Sequence, residues 1–290
     1  MRRPFLSRSR VPWMLLCLLP LSAGCAGLVS SATGRLAGNV SSAILNQDDV
    51  ATVRDGAPAY LLMIDGLIEG EPGSESLLLS GARLYGAYAA AFVDDPDRAR
   101  RLAGKARNYA HRALCVRQPG LCAAATAPFD DFAGRLSDAG PADVPALYGF
   151  AAAWAGWIQA NPDDWAAVAD LPKVEAAMAR VAALDEAYDR GGAHLYLGVL
   201  ATLRPESLGG RPEEGRTHFE RADALADGRN LMAKVLFARH YARLVFDRDL
   251  HDRLLREVVE ADPREPGLTL SNVLAREEAR ALLAGAEDYF

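Results

Sequence analysis

The sequence predicts an all-α protein, an array of roughly ten helices packed as hairpins in the manner of tetratricopeptide repeats. Three observations carry that expectation. Apolar residues recur at spacings of three and four along most of the chain; Asp, Pro and Gly stand where helices begin and end; and no Val/Ile/Thr alternation marks a strand. Half of the residues are apolar, with the excess in Ala and Leu.

The elements follow in chain order. Residues 1–24 read as an export signal: Arg2, Arg3, Arg8 and Arg10 precede the apolar run Val11 to Leu21, which is too short for a membrane span. The run closes on Leu21, Ser22, Ala23, Gly24 and Cys25, which resembles a bacterial lipobox with Ser22 where Leu is usual. Cys25 is therefore the expected lipidation site, and its acyl chains would hold the protein on a membrane. Ala26 after it, rather than Asp, favours the outer membrane of the periplasm over the inner. Residues 25–47 would form the lipidated N-terminus and tether, and residues 48–290 the helical domain. Four of the 32 basic residues and none of the 38 acidic ones lie in the first 24 positions, so cleavage takes the net charge from −6 to −10. Such a chain does not invite nucleic acid.

Asp95, Pro96 and Asp97 supply a cap, a first-turn proline and a first-turn acid for a helix whose stripe is Ala99, Leu102, Ala103, Ala106, Ala110 and Ala113. Its other face carries Arg98, Arg100, Arg101, Lys105, Arg107 and Arg112 and is expected to be solvated. Leu77, Gly81, Leu84, Tyr85, Tyr88 and Phe92 form the partner stripe of a hairpin. Cys115 and Cys122, exported to an oxidising compartment, are either a small disulfide-closed loop or two small buried thiols near a helix end. Tyr148, Phe150, Trp154, Trp157 and Trp165 form an aromatic cluster expected to be core, with a cleft or oligomer interface as the alternative and Trp154 and Trp157 its foremost candidates.

Val174, Ala177, Met178, Val181, Leu184 and Tyr188 predict one helix ending at Gly191, where a left-handed residue is wanted. Tyr196, Val199, Leu200 and Leu203 make a short helix, broken over 205–211. Pro212, Glu213 and Glu214 open the next, with Phe219, Ala222 and Leu225 inward. Helices follow over 231–246, 248–261 and 271–284. Leu197, Gly198, Phe219, Ala222 and Tyr241 match tetratricopeptide positions if 205–211 holds an insertion.

Catalytic signatures are missing: there is no HExxH, GxSxG, GxGxxG or CxxC, and Gly104-Lys105 is followed by Ala where a phosphate loop needs Ser or Thr. The glycine pairs at 191 and 209 follow helical segments rather than strands, so they read as turns. The five histidines, 111, 194, 218, 240 and 251, show no pair at i, i+4 and no cysteine beside them, and neither a metal nor another cofactor is expected.

Several motifs, in order, carry a family resemblance. They are "DGAPAYLLMIDGLIEGEP", "LLLSGARLYGAYAAAFV" with "DRARRLAGKARNYAHRAL", "YGFAAAWAGWIQA", the stretch 180–222, "NLMAKVLFARHYARLVFDRDLHDRLL" and "LSNVLAREEARALLAGAEDYF". Across about residues 45–290 the chain resembles the T component associated with tripartite ATP-independent periplasmic (TRAP) transporters. The resemblance implies an all-helical homotrimer, not an enzyme. It implies association with the substrate-binding P component and help in passing a small organic ligand to the transporter. It also makes His194, Tyr196, Arg204, Asn230, Arg243, Asp247, Arg248 and Asn272 candidates for a cleft or docking surface, with an ordinary Arg243–Asp247 ion pair as the plain alternative. A general envelope scaffold that binds peptides or assembly factors is the competing function.

Overall fold

The computed structural model describes residues 38–290, and all regular structure among them is helical. Residues 1–37, with the export signal and Cys25, lie outside that range. Residues 38–45, inside the stretch expected to be a tether, are helical; Ile44 packs on the core, and Asn46 accepts a hydrogen bond from the Gly267 amide at 2.6 Å.

Three long helices open the array: α1 (Val50–Gly70), α2 (Glu75–Phe92) and α3 (Pro96–Arg117). Asp49 caps α1 by accepting from the amides of Ala51 and Thr52, and Asp95 caps α3 from Arg98. Along α3, Ala103, Ala106, Ala110 and Ala113 are buried, as the small-residue stripe predicts, and the backbones of α2 and α3 come close there. Gly81 sits where the three helices pinch: a Cβ on it would lie 2.8 Å from Ile68 and 3.0 Å from Tyr109. The Asp65 carboxylate of α1 ties them together, accepting from Tyr85 at 2.8 Å, Lys105 at 2.5 Å and Tyr109 at 2.7 Å. Burial opposes charge on Asp65, yet these three hydrogen bonds hold its carboxyl below the usual range.

The next layer is α4 (Pro119–Ala124), α5 (Phe129–Leu136), α6 (Val144–Ala160), α7 (Trp165–Val168) and α8 (Leu171–Leu184). α6 packs between α3 and α8, burying Leu147, Phe150, Trp154 and Met178 around Phe132 of α5. Asp143, just before α6, accepts from Arg117 and Gln118 at 2.8 Å each and so fastens the end of α3. Then come α9 (Gly192–Ala201) and α10 (Pro212–Leu225), a close pair. The chain finishes with α11 (Leu231–Leu236), α12 (Arg248–Glu260), α13 (Thr269–Ala284) and α14 (Ala286–Tyr289). These last helices enclose a second apolar cluster around Phe219, Val235, Leu255 and Ala279.

The structure corrects several expectations. The helix predicted to reach Gly191 stops at Leu184, because Asp185 is extended, and a separate 3-10 turn, Tyr188–Arg190, precedes α9. The helix predicted over 231–246 becomes a π-helix at Phe237–Ala242, a distortion that hydrophobic spacing does not report. α4, α5 and α7 are short helices between the expected ones, and α14 follows the last of them. Trp165 is 86% exposed rather than core, because it begins the four-residue α7 at the surface. Within the basic face of α3, Lys105 binds Asp65, and Arg107 is half-buried with its guanidinium 4.2 Å above the Trp157 ring and 5.1 Å from that of Trp154. Leu197, Phe219, Ala222 and Tyr241 are buried and Gly198 abuts Phe219.

Close packing gives a paired test. A Cβ on Gly198 would lie 2.9 Å from the fully buried Phe219 ring, whereas one on Gly104 meets only ordinary contact with Trp157 at 3.9 Å. In urea melts Gly198→Ala should cost about 1–3 kcal/mol, and Gly104→Ala should gain about 0.5–1 kcal/mol from helix propensity. A second test concerns His240, whose imidazole is pushed down to about 4 by burial and then by Arg239. The unfolded chain therefore takes up this proton first, so the contribution is intact above 6.5 and is lost as pH falls towards 4. The drop should be up to about 3 kcal/mol in stability and should shrink in His240→Leu.

Candidate functional site

A grouping of polar and aromatic side chains with partners from distant segments surrounds the turn between α8 and α9. Asp189, Arg190 and Gly191 are consecutive left-handed residues, with φ of 49°, 56° and 78°. Two non-glycine residues in that region cost about 1 kcal/mol or more each, so the surroundings must hold them. The Tyr148 hydroxyl of α6 donates to Asp189 at 2.8 Å, and Arg83 of α2 lies 3.7 Å from the same carboxylate. Arg190 donates to the Pro266 carbonyl at 2.7 Å. Gly192 is required here, since a Cβ would sit 2.3 Å from the Tyr148 oxygen.

Tyr148 packs edge-on against Tyr188 at 5.2 Å and Tyr196 at 6.1 Å, so helices distant in sequence present three phenols together. Burial, then neighbouring phenol and carboxylate charge, pushes Tyr148 up; burial, then Asp189, pushes Tyr196 up to about 12. All three stay neutral near pH 7. The patch combines partly exposed phenol rings with a carboxylate that Tyr148 already bonds and a guanidinium 3.7 Å from it.

Behind Tyr196, His194 is 8% exposed, and its Nδ1 lies 2.8 Å from Nδ1 of His218. Its Nε2 is 3.2 Å from Glu186, which Arg221 also grips at 2.5 and 2.7 Å. The Arg221 bonds foremost hold the Glu186 carboxyl down at about 2. An ionised carboxylate only accepts, so His194 carries its proton on Nε2 and its bare Nδ1 accepts from His218. Burial first, then the positive charge His194 would carry once protonated, lowers His218. The sequence offered His194, and Tyr148 within an aromatic cluster, but passed over His218, Glu186 and Asp189; nothing in local spacing links positions 148, 186 and 218.

The remaining candidates do not converge on this site. Asn272 is 1% exposed and fully used, accepting from the Leu231 amide and donating to the carbonyls of Arg229 and Pro263. Asn230 is buried beside it, before α11. Arg243 stacks over Tyr289 at 4.4 Å, and Asp247 caps α12 from the Leu250 amide instead of pairing with Arg243. Arg248 reaches Asp252 and Glu287 at 3.9 and 3.8 Å, and Arg204 is exposed. Trp154 is wholly buried and so unavailable to a partner, whereas Trp157 is partly exposed under Arg107.

A second cluster lies at the end of α3. Cys115 and Cys122 form a disulfide, and His111 stands against both sulfurs, its Nε2 3.9 Å from Cys115 and 3.5 Å from Cys122. His111 and Cys115 are four residues apart on α3, a spacing that a search for histidine pairs alone overlooks. Among the described residues this is the one group of three His, Cys or acidic side chains close enough to share a metal.

The fold and these surfaces define a helical-array protein, and among the described residues no helix is long and apolar enough to cross a membrane. The chain belongs to the TRAP transporter T-component family, which matches residues 46–290. Membership associates it with a TRAP transport system and with the periplasm or envelope. It is also similar to a protein of Treponema pallidum (strain Nichols), described as uncharacterized, at 24% identity over 262 residues; the alignment covers 84% of this chain and 81% of that one.

The histidine pair yields a direct prediction. Nitrogen-detected NMR at pH 7.5 should show the Nε2–H tautomer of His194 and the Nδ1–H tautomer of His218, with His218 titrating below 6.5. His194→Ala should move His218 part of the way back towards 6.5, because burial remains.

Proposed function

We propose that this chain is a lipid-anchored periplasmic partner of the substrate-binding P component of a TRAP system, working as a homotrimer. The observation that carries the reading is the family match over residues 46–290. Cys25 is the lipidated residue, after removal of residues 1–24, and its acyl chains hold residues 48–290 on the periplasmic face of the outer membrane. The protein makes and breaks no bond; it receives the binding protein and helps a small organic ligand pass.

Tyr196 is the sequence candidate best placed to meet that ligand or partner, in company with Tyr148, Tyr188, Asp189 and Arg83. The phenols offer rigid apolar area with a donor at the tip, which suits an interface or a ligand surface. His194 supports them from behind, and Asn272 serves the fold.

Light scattering of the lipid-free chain should give three times the monomer mass, and mixing with the P protein encoded in the same gene cluster should raise it further. A monomer that ignores the P protein at micromolar concentration defeats the proposal. Cys25→Ser should move the protein from the membrane to the soluble fraction, and Tyr196→Ala should weaken P-protein binding by at least about tenfold without lowering the trimer mass.

A further inference from the structure

We propose that His111, Cys115 and Cys122 form a redox-gated site for a thiophilic d10 cation, Zn2+ in the first instance. Its two states are the disulfide seen in the structure and a reduced, metal-bound form. The first support is the donor set. Two thiolates and an imidazole match zinc and the softer transition metals, and none of the three side chains is needed elsewhere by a strong hydrogen bond. The Nε2 atom of His111 lies a long 3.4 Å from the Cys122 carbonyl, a contact that coordination would replace.

Distance is the second support. Metal bonds of about 2.3 Å to sulfur and 2.0 Å to nitrogen at the tetrahedral angle put S and N about 3.5 Å apart. The Cys122 sulfur is 3.5 Å from Nε2 and the Cys115 sulfur 3.9 Å. All three donor atoms lie within 4.8 Å of one another, so only the two sulfurs must separate. The fold presets the rest. His111 and Cys115 share a face of α3 at i, i+4; Pro119 starts α4 at once after Gln118 and turns Cys122 back onto them; and the His111 ring rests 5.6 Å from that of Phe150. The three side chains are partly exposed, which leaves solvent a fourth coordination position.

The chemistry balances. A dithiol donor passes two electrons and two protons to the Cys115–Cys122 bond, leaving as its own cyclic disulfide. Zn2+ then displaces one proton from each thiol and takes the Nε2 lone pair of His111. In the oxidised state each sulfur is bonded to the other, so the same pair cannot supply two thiolates.

The test uses the full-length chain with Cys17→Ser and Cys25→Ser, so that Cys115 and Cys122 are the only cysteines left. It is prepared oxidised, or reduced with a phosphine that is then removed. The reduced form should bind one Zn2+ per chain, and Co2+ in its place should show thiolate charge-transfer bands and the intense visible bands of a tetrahedral site. The oxidised form should show neither. His111→Ala should weaken Zn2+ at least about tenfold while thiol titration still counts two free cysteines. Zinc X-ray absorption of the unmutated site gives a readout independent of that variant's folding, with two sulfurs and one imidazole nitrogen expected from this chain. Equal Zn2+ binding by oxidised and reduced chains, equal binding by a folded His111→Ala, or a zinc shell lacking sulfur each overturns the proposal. Neither membership of the TRAP family nor binding to a P protein enters these measurements.

Discussion

Close approach of helix backbones through alanine and glycine is the constraint on which the rest of this structure depends. α3 presents Ala103, Ala106, Ala110 and Ala113 to its neighbours, Gly81 admits Ile68 and Tyr109 side chains, and Gly198 makes room for the Phe219 ring. Interiors are packed too densely to absorb an added methyl group at such points without a shift. Each helix therefore fixes the position of the next, and the accumulated stacking brings α2, α6 and α9 to the turn at 188–191.

Polar groups set the register that apolar packing leaves loose. Asp65 ties α1, α2 and α3; Asp143 ties the end of α3 to the start of α6; and Asn272 ties the beginning of α11 to α13. A buried acceptor or donor that loses its partner costs more than the bond contributes, so each tie resists slippage of one helix past another. The same logic explains the left-handed Asp189 and Arg190. Tyr148 and the Pro266 carbonyl hold them in a conformation the chain would not choose alone, and in return the turn stays in place against the three phenols.

This arrangement suits a protein whose work is to present a surface. Rigid phenols carry area and hydrogen-bonding tips at small entropic cost, and a stacked array keeps them in fixed relation over long distances. The histidine pair behind Tyr196 and the sulfur cluster on α3 are separate features on different helices, each with its own chemistry. The first shares a single proton between two Nδ1 atoms; the second shares electrons between two sulfurs.

The sequence by itself determined the helical class, several helix starts such as Pro96, Pro212, Leu231 and Arg248, and the small-residue stripe, because caps, first-turn prolines and three-four spacing act within a few residues of chain. It also carried the ordered motifs of the family. It misjudged the ends of helices, as at Leu184 and within 231–246, because an extended Asp185 and the π-helix at Phe237–Ala242 are not encoded by apolar spacing. It gave equal standing to His194, Tyr196, Asn230, Arg243 and Asn272. Only the tertiary structure separated a fully bonded Asn272 inside the fold from a partly exposed Tyr196 packed against Tyr148. It alone joined Tyr148 to Asp189, His194 to His218, and His111 to two cysteines. Burial and partnership depend on which helices stack together, and that is decided by contacts between residues far apart in the chain.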